Sequence, residues 1–137
     1  MKKPNFSPAE FVCRDGTAYP SKWIGSRLAR LIAVLEVIRA AAGCRIFIVS
    51  GYRTEAYNRK IGGARQSRHV TGEAADIRAE ALNAADLHAL ILSLYNGGKL
   101  DDLGGLGIYP NWVHVDVRDG ARLVRWGGSR VEGTATA

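Results

Sequence analysis

No apolar run in the sequence approaches the roughly 18 residues that a membrane-spanning helix needs, so no span is expected. The opening MKKPNFSPAEF has lysines but no apolar segment behind them, so a secretory signal is not expected either. Cysteine is scarce: Cys13 and Cys44 are the only two, and they lack C-x-x-C spacing, which argues against a cysteine metal knuckle. Two free, partly buried thiols are expected, with a disulfide left open because spacing carries no geometry. Compact basic runs and an aromatic ladder are also missing, so a specific nucleic-acid reader is not expected.

What is present suits one globular domain. The chain has 137 residues, of which 47% are hydrophobic. A domain of this size buries roughly 65–70% of its unfolded surface and needs no staples. Nineteen basic residues against 13 acidic ones leave a formal charge of +6. The basic residues are scattered, which fits a solvated surface, or nonspecific attraction to an anionic polymer.

Residues 1–21 read as irregular, punctuated by Pro4, Pro8, Gly16 and Pro20. Ser21 is the expected cap of a helix over 22–42, in which Leu28, Leu31, Ile32, Leu35 and Ile38 form one apolar face. Gly43 is its natural stop. RIFIVS, Arg45 to Ser50, reads as a strand. Thr54 starts a short helix that Gly62 and Gly63 end, and residues 64–72 read as loop. EAADIRA is a strand, and Asn83 caps a second sizeable helix over 84–95. GLGIYP, WVHVDV and ARLVRW are three further strand candidates, expected to form a β-meander. The order predicts an α+β fold with a small, mostly antiparallel sheet and flanking helices. The domain is expected to fill residues 1–128, with a flexible tail over 129–137.

The chemistry gathers in two places. In WVHVDV, His114 and Asp116 are two apart on a strand and point to one face, while Val113, Val115 and Val117 point to the core. In SRHVTGEAAD, His69 and Asp76 flank Gly72, which permits a tight or left-handed turn. Two histidines and a carboxylate with an open fourth position are a usual ligand set for catalytic zinc. A His-x-Asp strand by itself reads first as a hydrogen-bonded structural pair, and only together with His69 and Asp76 as part of a site. His88, inside the second helix, reads as an ordinary surface or core histidine, and Asp119 as a solvated turn residue. Tyr52, Tyr109, Trp112 and Trp126 read first as core or sheet-edge aromatics and second as walls of a peptide groove.

SRHVTGEAAD also fits S-x-H-x-x-G-x-A-x-D, and so resembles the zinc motif of the D-Ala-D-Ala carboxypeptidase family of peptidoglycan peptidases, the M15 peptidases. NFSPAEFVCRDG resembles the opening of their compact phage and bacterial members. SGYRTEAYNRKIGGARQSRH resembles the segment leading into the motif, and GGLGIYPNWVHVDVRDGARLVRW their closing strands. The likeness covers roughly residues 5–127. It implies a hedgehog/DD-peptidase-like fold and one zinc ion per chain, held by His69, Asp76 and His114. It implies that Arg53 binds or polarises a substrate carbonyl or carboxylate, a task suited to a permanent, forked cation. Ser67 is the further candidate, as a substrate contact or as a support of a ligand or its loop. One position departs from the pattern. Many relatives carry a catalytic acid three residues before the last zinc histidine, where this chain has Asn111. The general base is then expected to be Asp116, with support of the zinc or of the substrate from behind as its open alternative.

The implied activity is hydrolysis of peptide bonds in peptidoglycan stems or cross-bridges by a monomer. The expected setting is a phage or prophage protein made in the cytoplasm, reaching the wall after holin release or on a phage particle. The alternatives are a non-catalytic zinc-containing wall-binding module, which Asn111 keeps open, and a peptidase of the L-alanyl-D-glutamate bond. Fold alone does not separate these.

Overall fold

The chain coils from Ser21 to Ala42, but not as one α-helix. In a computed structural model, which describes residues 4–120 and 122–127, Ser21–Trp23 is a 3-10 turn and Ile24–Leu28 a π-helical turn. The α-helix proper, α1, is Ala29–Ala42. Ser21 therefore lies inside the first turn and does not cap it: the Trp23 N–H already bonds the Pro20 carbonyl at 3.1 Å. Trp23 is placed by tertiary contact, edge-on to Tyr19 and Tyr52 at centroid distances of 6.3 and 6.2 Å. Gly43 ends α1 at φ 66°, as expected of a left-handed stop.

The strands are β1 (Ile46–Ser50), β2 (Ala74–Ala79), β3 (Gly105–Ile108), β4 (Val113–Asp116) and β5 (Val124–Gly127). Between β1 and β2 lies the short helix α2 (Glu55–Lys60), capped by the Thr54 hydroxyl. Between β2 and β3 lies α3 (Ala84–Asn96), capped by the Asn83 side chain. Both caps are those expected, because each short polar side chain accepts a first-turn N–H that has no partner within the helix.

The strand order is β1-β2-β4-β3-β5. β1–β2, β2–β4 and β3–β4 are antiparallel, and β3–β5 is parallel. The sheet is thus mostly antiparallel, but the closing strands are not a meander. Both sides of β4 are already taken, by β2 and β3, so the chain crosses to the open edge of β3 and runs parallel to it. The expected tail over 129–137 lies outside the described residues. Cys13 and Cys44 are both free thiols, Cys13 buried.

Side-chain alternation assigns the two faces of the sheet. Ala75, Ile77, Leu106, Val113 and Val115 are buried with Leu31, Leu35 and Ile38 of α1 and with Leu87 and Ile91 of α3. The opposite face carries Asp76, His114 and Asp116, all buried. Gly72 leads the loop back into β2 at φ 74°. A Cβ there would meet Trp23 Cε3 and Tyr19 Oη at 2.7 Å, and that tyrosine donates to the Gly72 carbonyl at 2.7 Å. Gly72→Ala is expected to lose more than about 1 kcal/mol in a urea titration, since both the backbone conformation and the space exclude a side chain. A loss within error would show that this turn relaxes freely.

Candidate metal centre

The register of β2 on β4 sets Asp76 opposite His114. An irregularity in β1 between Ile48 and Ser50 brings Ser50 opposite Asp76 on the other side. Beyond Ser50, the Gly51 carbonyl faces the loop that carries His69. That loop is pinned three times: Arg53 N–H donates to the His69 carbonyl at 3.1 Å, Gly72 N–H to the same carbonyl at 3.2 Å, and His69 N–H to Ser67 Oγ at 3.2 Å.

The two imidazoles have their tautomers set from outside. His69 Nδ1 lies 2.7 Å from the Gly51 carbonyl, which can only accept, so the proton is on Nδ1. His114 Nε2 lies 2.7 Å from the Asp116 carboxylate, so its proton is on Nε2. His69 Nε2 and His114 Nδ1 then carry lone pairs, and each is 3.1 Å from Asp76 Oδ1. His69, Asp76 and His114 each offer one ligand atom, and these atoms lie within 4.8 Å of one another. Three converging acceptors in a buried site repel one another unless a cation sits among them. The donor set of two imidazoles and one carboxylate suits zinc, with coordination left over for a further ligand.

Electrostatics agree for His69 and Asp76 and, before a cation binds, run the other way at His114. Burial, opposed by Asp76, lowers the pKa of His69 and so favours its neutral, ligating form. Burial also works against charge on His114, but hydrogen bonds to Asp116 and Asp76 outweigh it and raise its pKa. Burial would raise the pKa of Asp76, but the two histidines hold it well below the usual carboxylate range. Acidification is therefore expected to expel a bound metal. The proton competes with the metal at both imidazoles, because a ligating histidine must be neutral. Zinc content after equilibration at falling pH should drop below about pH 5. Full retention there would contradict histidine ligation.

Arg53 borders the trio and is buried. Its guanidinium reaches Asp76 Oδ2 at 3.4 Å, Asn58 Oδ1 at 3.2 Å and Ser50 Oγ at 3.4 Å. The buried Asn58 is fixed in turn by donating to the Ala64 carbonyl at 2.8 Å. The cation so held faces the carboxylate of the metal trio.

The family profile described as peptidase M15 matches residues 4–116. The chain belongs to the peptidase M15 family. No curated protein matches it. The matched span contains Arg53, Ser67, His69, Asp76, His114 and Asp116, and stops before β5.

In this M15 peptidase Asp116 does not suit the general base expected of it. Its carboxylate meets Nε2 of His114, while the ligand atoms converge at Nδ1, so the imidazole stands between Asp116 and the metal position. The same carboxylate is gripped by Arg118, from Nε at 2.9 Å to Oδ1 and from Nη2 at 2.7 Å to Oδ2. An aspartate held in this way orients the histidine and raises its basicity. Asp116→Asn is expected to weaken zinc binding about 10–100-fold, read by competition with a chromophoric chelator. Unchanged affinity with a loss of turnover would restore the base assignment.

Ser67 is buried, and its hydroxyl accepts the His69 N–H inside the loop. That geometry supports the loop and does not suit a substrate contact. His88 stays on α3, outside the cluster. Asp119 is 93% exposed, with Arg30 at 3.6 Å, as a solvated turn residue should be. The sequence reading did not single out Arg118, Asn58 or the Gly51 carbonyl. For Arg118 a signal existed: in DVR it is two residues beyond Asp116, the spacing that shares a strand face.

Proposed function

We propose that this M15 peptidase is zinc-dependent and cuts peptide bonds in peptidoglycan stems or cross-bridges, with the terminal D-Ala-D-Ala bond as the first to test. The observation that carries the reading is the convergence of His69 Nε2, Asp76 Oδ1 and His114 Nδ1, with both tautomers set by outside acceptors. These three residues would hold the zinc. When bound, zinc would supply Lewis-acid polarisation of a peptide carbonyl and activation of water near neutral pH. Arg53 would bind a carbonyl oxygen or a terminal carboxylate of the peptide. Asp116, clamped by Arg118, would keep His114 turned toward the metal. The +6 charge favours an anionic wall polymer by nonspecific attraction.

The setting we propose is a phage or prophage protein acting as a monomer. Its support is the resemblance of the opening and closing segments to compact phage and bacterial members. Asn111, and Asp116 lying on the far side of the His114 imidazole from the ligand atoms, favour one second reading, a zinc-containing module that binds the wall without cutting it. Mass analysis of purified peptidoglycan incubated with the zinc-loaded protein tests both. Free D-alanine supports the carboxypeptidase reading, and a new L-alanyl or cross-bridge terminus moves the scissile bond. Unaltered muropeptides with retained wall binding would favour the binding module.

A further inference from the structure

The short helix α2 sets Glu55, Asn58 and Arg59 on one side, since residues three and four apart share a helix face. Gly63 and Arg65 come from the turn that follows, and Val70 from the loop that carries His69. Together these residues line a pocket of about 330 Å³. Two features join it to the metal trio. Arg53 Nη2 reaches Asp76 Oδ2 at 3.4 Å, and Nη1 of the same guanidinium reaches Asn58 Oδ1 at 3.2 Å. One side chain thus spans from a candidate zinc ligand to the pocket wall. Gly63 keeps that junction clear, because a Cβ there would collide with the Asn58 carboxamide and come within 3.2 Å of Arg53 Nη1. An extended peptide advances roughly 3.5 Å per residue, so a group about two or three residues along from the trio can enter here.

The charge of the lining is unbalanced. Two guanidinia stand against the one carboxylate of Glu55, and all three side chains are exposed. Among the described residues, neither Arg59 nor Arg65 has an ion-pair partner. A guanidinium is a permanent, forked donor that matches the two oxygens of a carboxylate.

We infer that this pocket is a substrate subsite that takes a carboxylate of the peptide, with Arg59 and Arg65 as its specificity-determining residues. This rests on the peptidase reading above, which lays the peptide across the trio. The carboxylate is the shared chemistry of two sources, a side chain of the stem or its C-terminus. Contacts remote from the reacting bond act alike on bound substrate and transition state, so they move KM more than kcat. Exposed charges are screened, so the effect is moderate and falls with salt.

The test uses zinc-loaded full-length protein and stem peptides in four forms, with side-chain carboxylates free or amidated and the C-terminal carboxylate free or amidated. Forms that are not cut are read as competitive inhibitors. At low salt the wild type should favour one free carboxylate about tenfold in KM, and the amidation that abolishes this names the source. Arg59→Ala and Arg65→Ala should each raise KM for that form about threefold to fivefold, with zinc retained and kcat nearly unchanged. Glu55→Gln removes the opposing carboxylate and should lower the same KM. Equal KM for all four forms in the wild type overturns the inference and leaves the peptidase reading intact. So does a preference that survives in the Arg59→Ala/Arg65→Ala double variant. If the wild type cuts none of the four, the peptidase reading falls, and calorimetric dissociation constants for the same peptides judge the pocket. A preference that the double variant abolishes then supports the subsite, and equal values overturn it.

Discussion

The His69→Ala and His114→Ala proteins are expected to purify without zinc and to leave peptidoglycan uncut. Each substitution removes one of the two neutral nitrogens that converge on Asp76 Oδ1, each 3.1 Å from it in the intact protein. One imidazole and one carboxylate remain, too few to hold the ion in a closed, buried site. The fold should survive both changes. In His114→Ala, Asp116 keeps its forked pairing with Arg118, so no buried carboxylate is left without a partner. In His69→Ala, the loop keeps its backbone bonds from Arg53 and Gly72. Elemental analysis beside circular dichroism makes the measurement. Stoichiometric zinc in both folded variants would remove this ligand set.

Arg53→Ala is expected to retain zinc but lose about 10²–10³-fold in kcat/KM, the usual consequence of deleting a preorganised donor at a developing oxyanion. A guanidinium is not a metal ligand, so the His69–Asp76–His114 trio remains whole. The buried Arg53 is held by Asn58 and Ser50, so its charge is set in place before substrate arrives. Arg53→Lys should recover only part of the loss, because a point charge cannot reproduce the fork. Zinc content and steady-state rates measured together separate the alternatives. Zinc lost along with activity would mean that Arg53 acts by positioning Asp76, which it reaches at 3.4 Å. Wild-type rates in the zinc-loaded Ala variant would make it a structural cation only.

The elements legible in the sequence were those whose cause is local. The apolar spacing of Leu28, Leu31, Leu35 and Ile38 marked the buried face of α1 and the turn before it, and Gly43 marked its end. Thr54 and Asn83 marked two helix starts, since a cap satisfies N–H groups only three residues away. Alternation in WVHVDV put His114 and Asp116 on one face and the valines in the core. Less legible was the beginning of the first helical segment. There Trp23 packs against Tyr19 and Tyr52, and contacts distant in sequence override the capping preference of Ser21.

The residue types of the candidate metal centre were therefore set by sequence: two histidines, an aspartate and an arginine at spacings a turn and a strand can use. Their roles were decided by tertiary structure. Which nitrogen of His114 faces the candidate metal position depends on Asp116 and Arg118 lying at Nε2, and which nitrogen of His69 does so depends on the Gly51 carbonyl, 18 residues away. The same holds for β5, whose parallel place beside β3 follows from β4 having both edges occupied and brings Trp126 over His114. Side-chain alternation is a property of a few consecutive residues and can be read along the chain. Strand neighbours and imidazole tautomers are set by groups that meet only when distant segments pack, and so they belong to the fold.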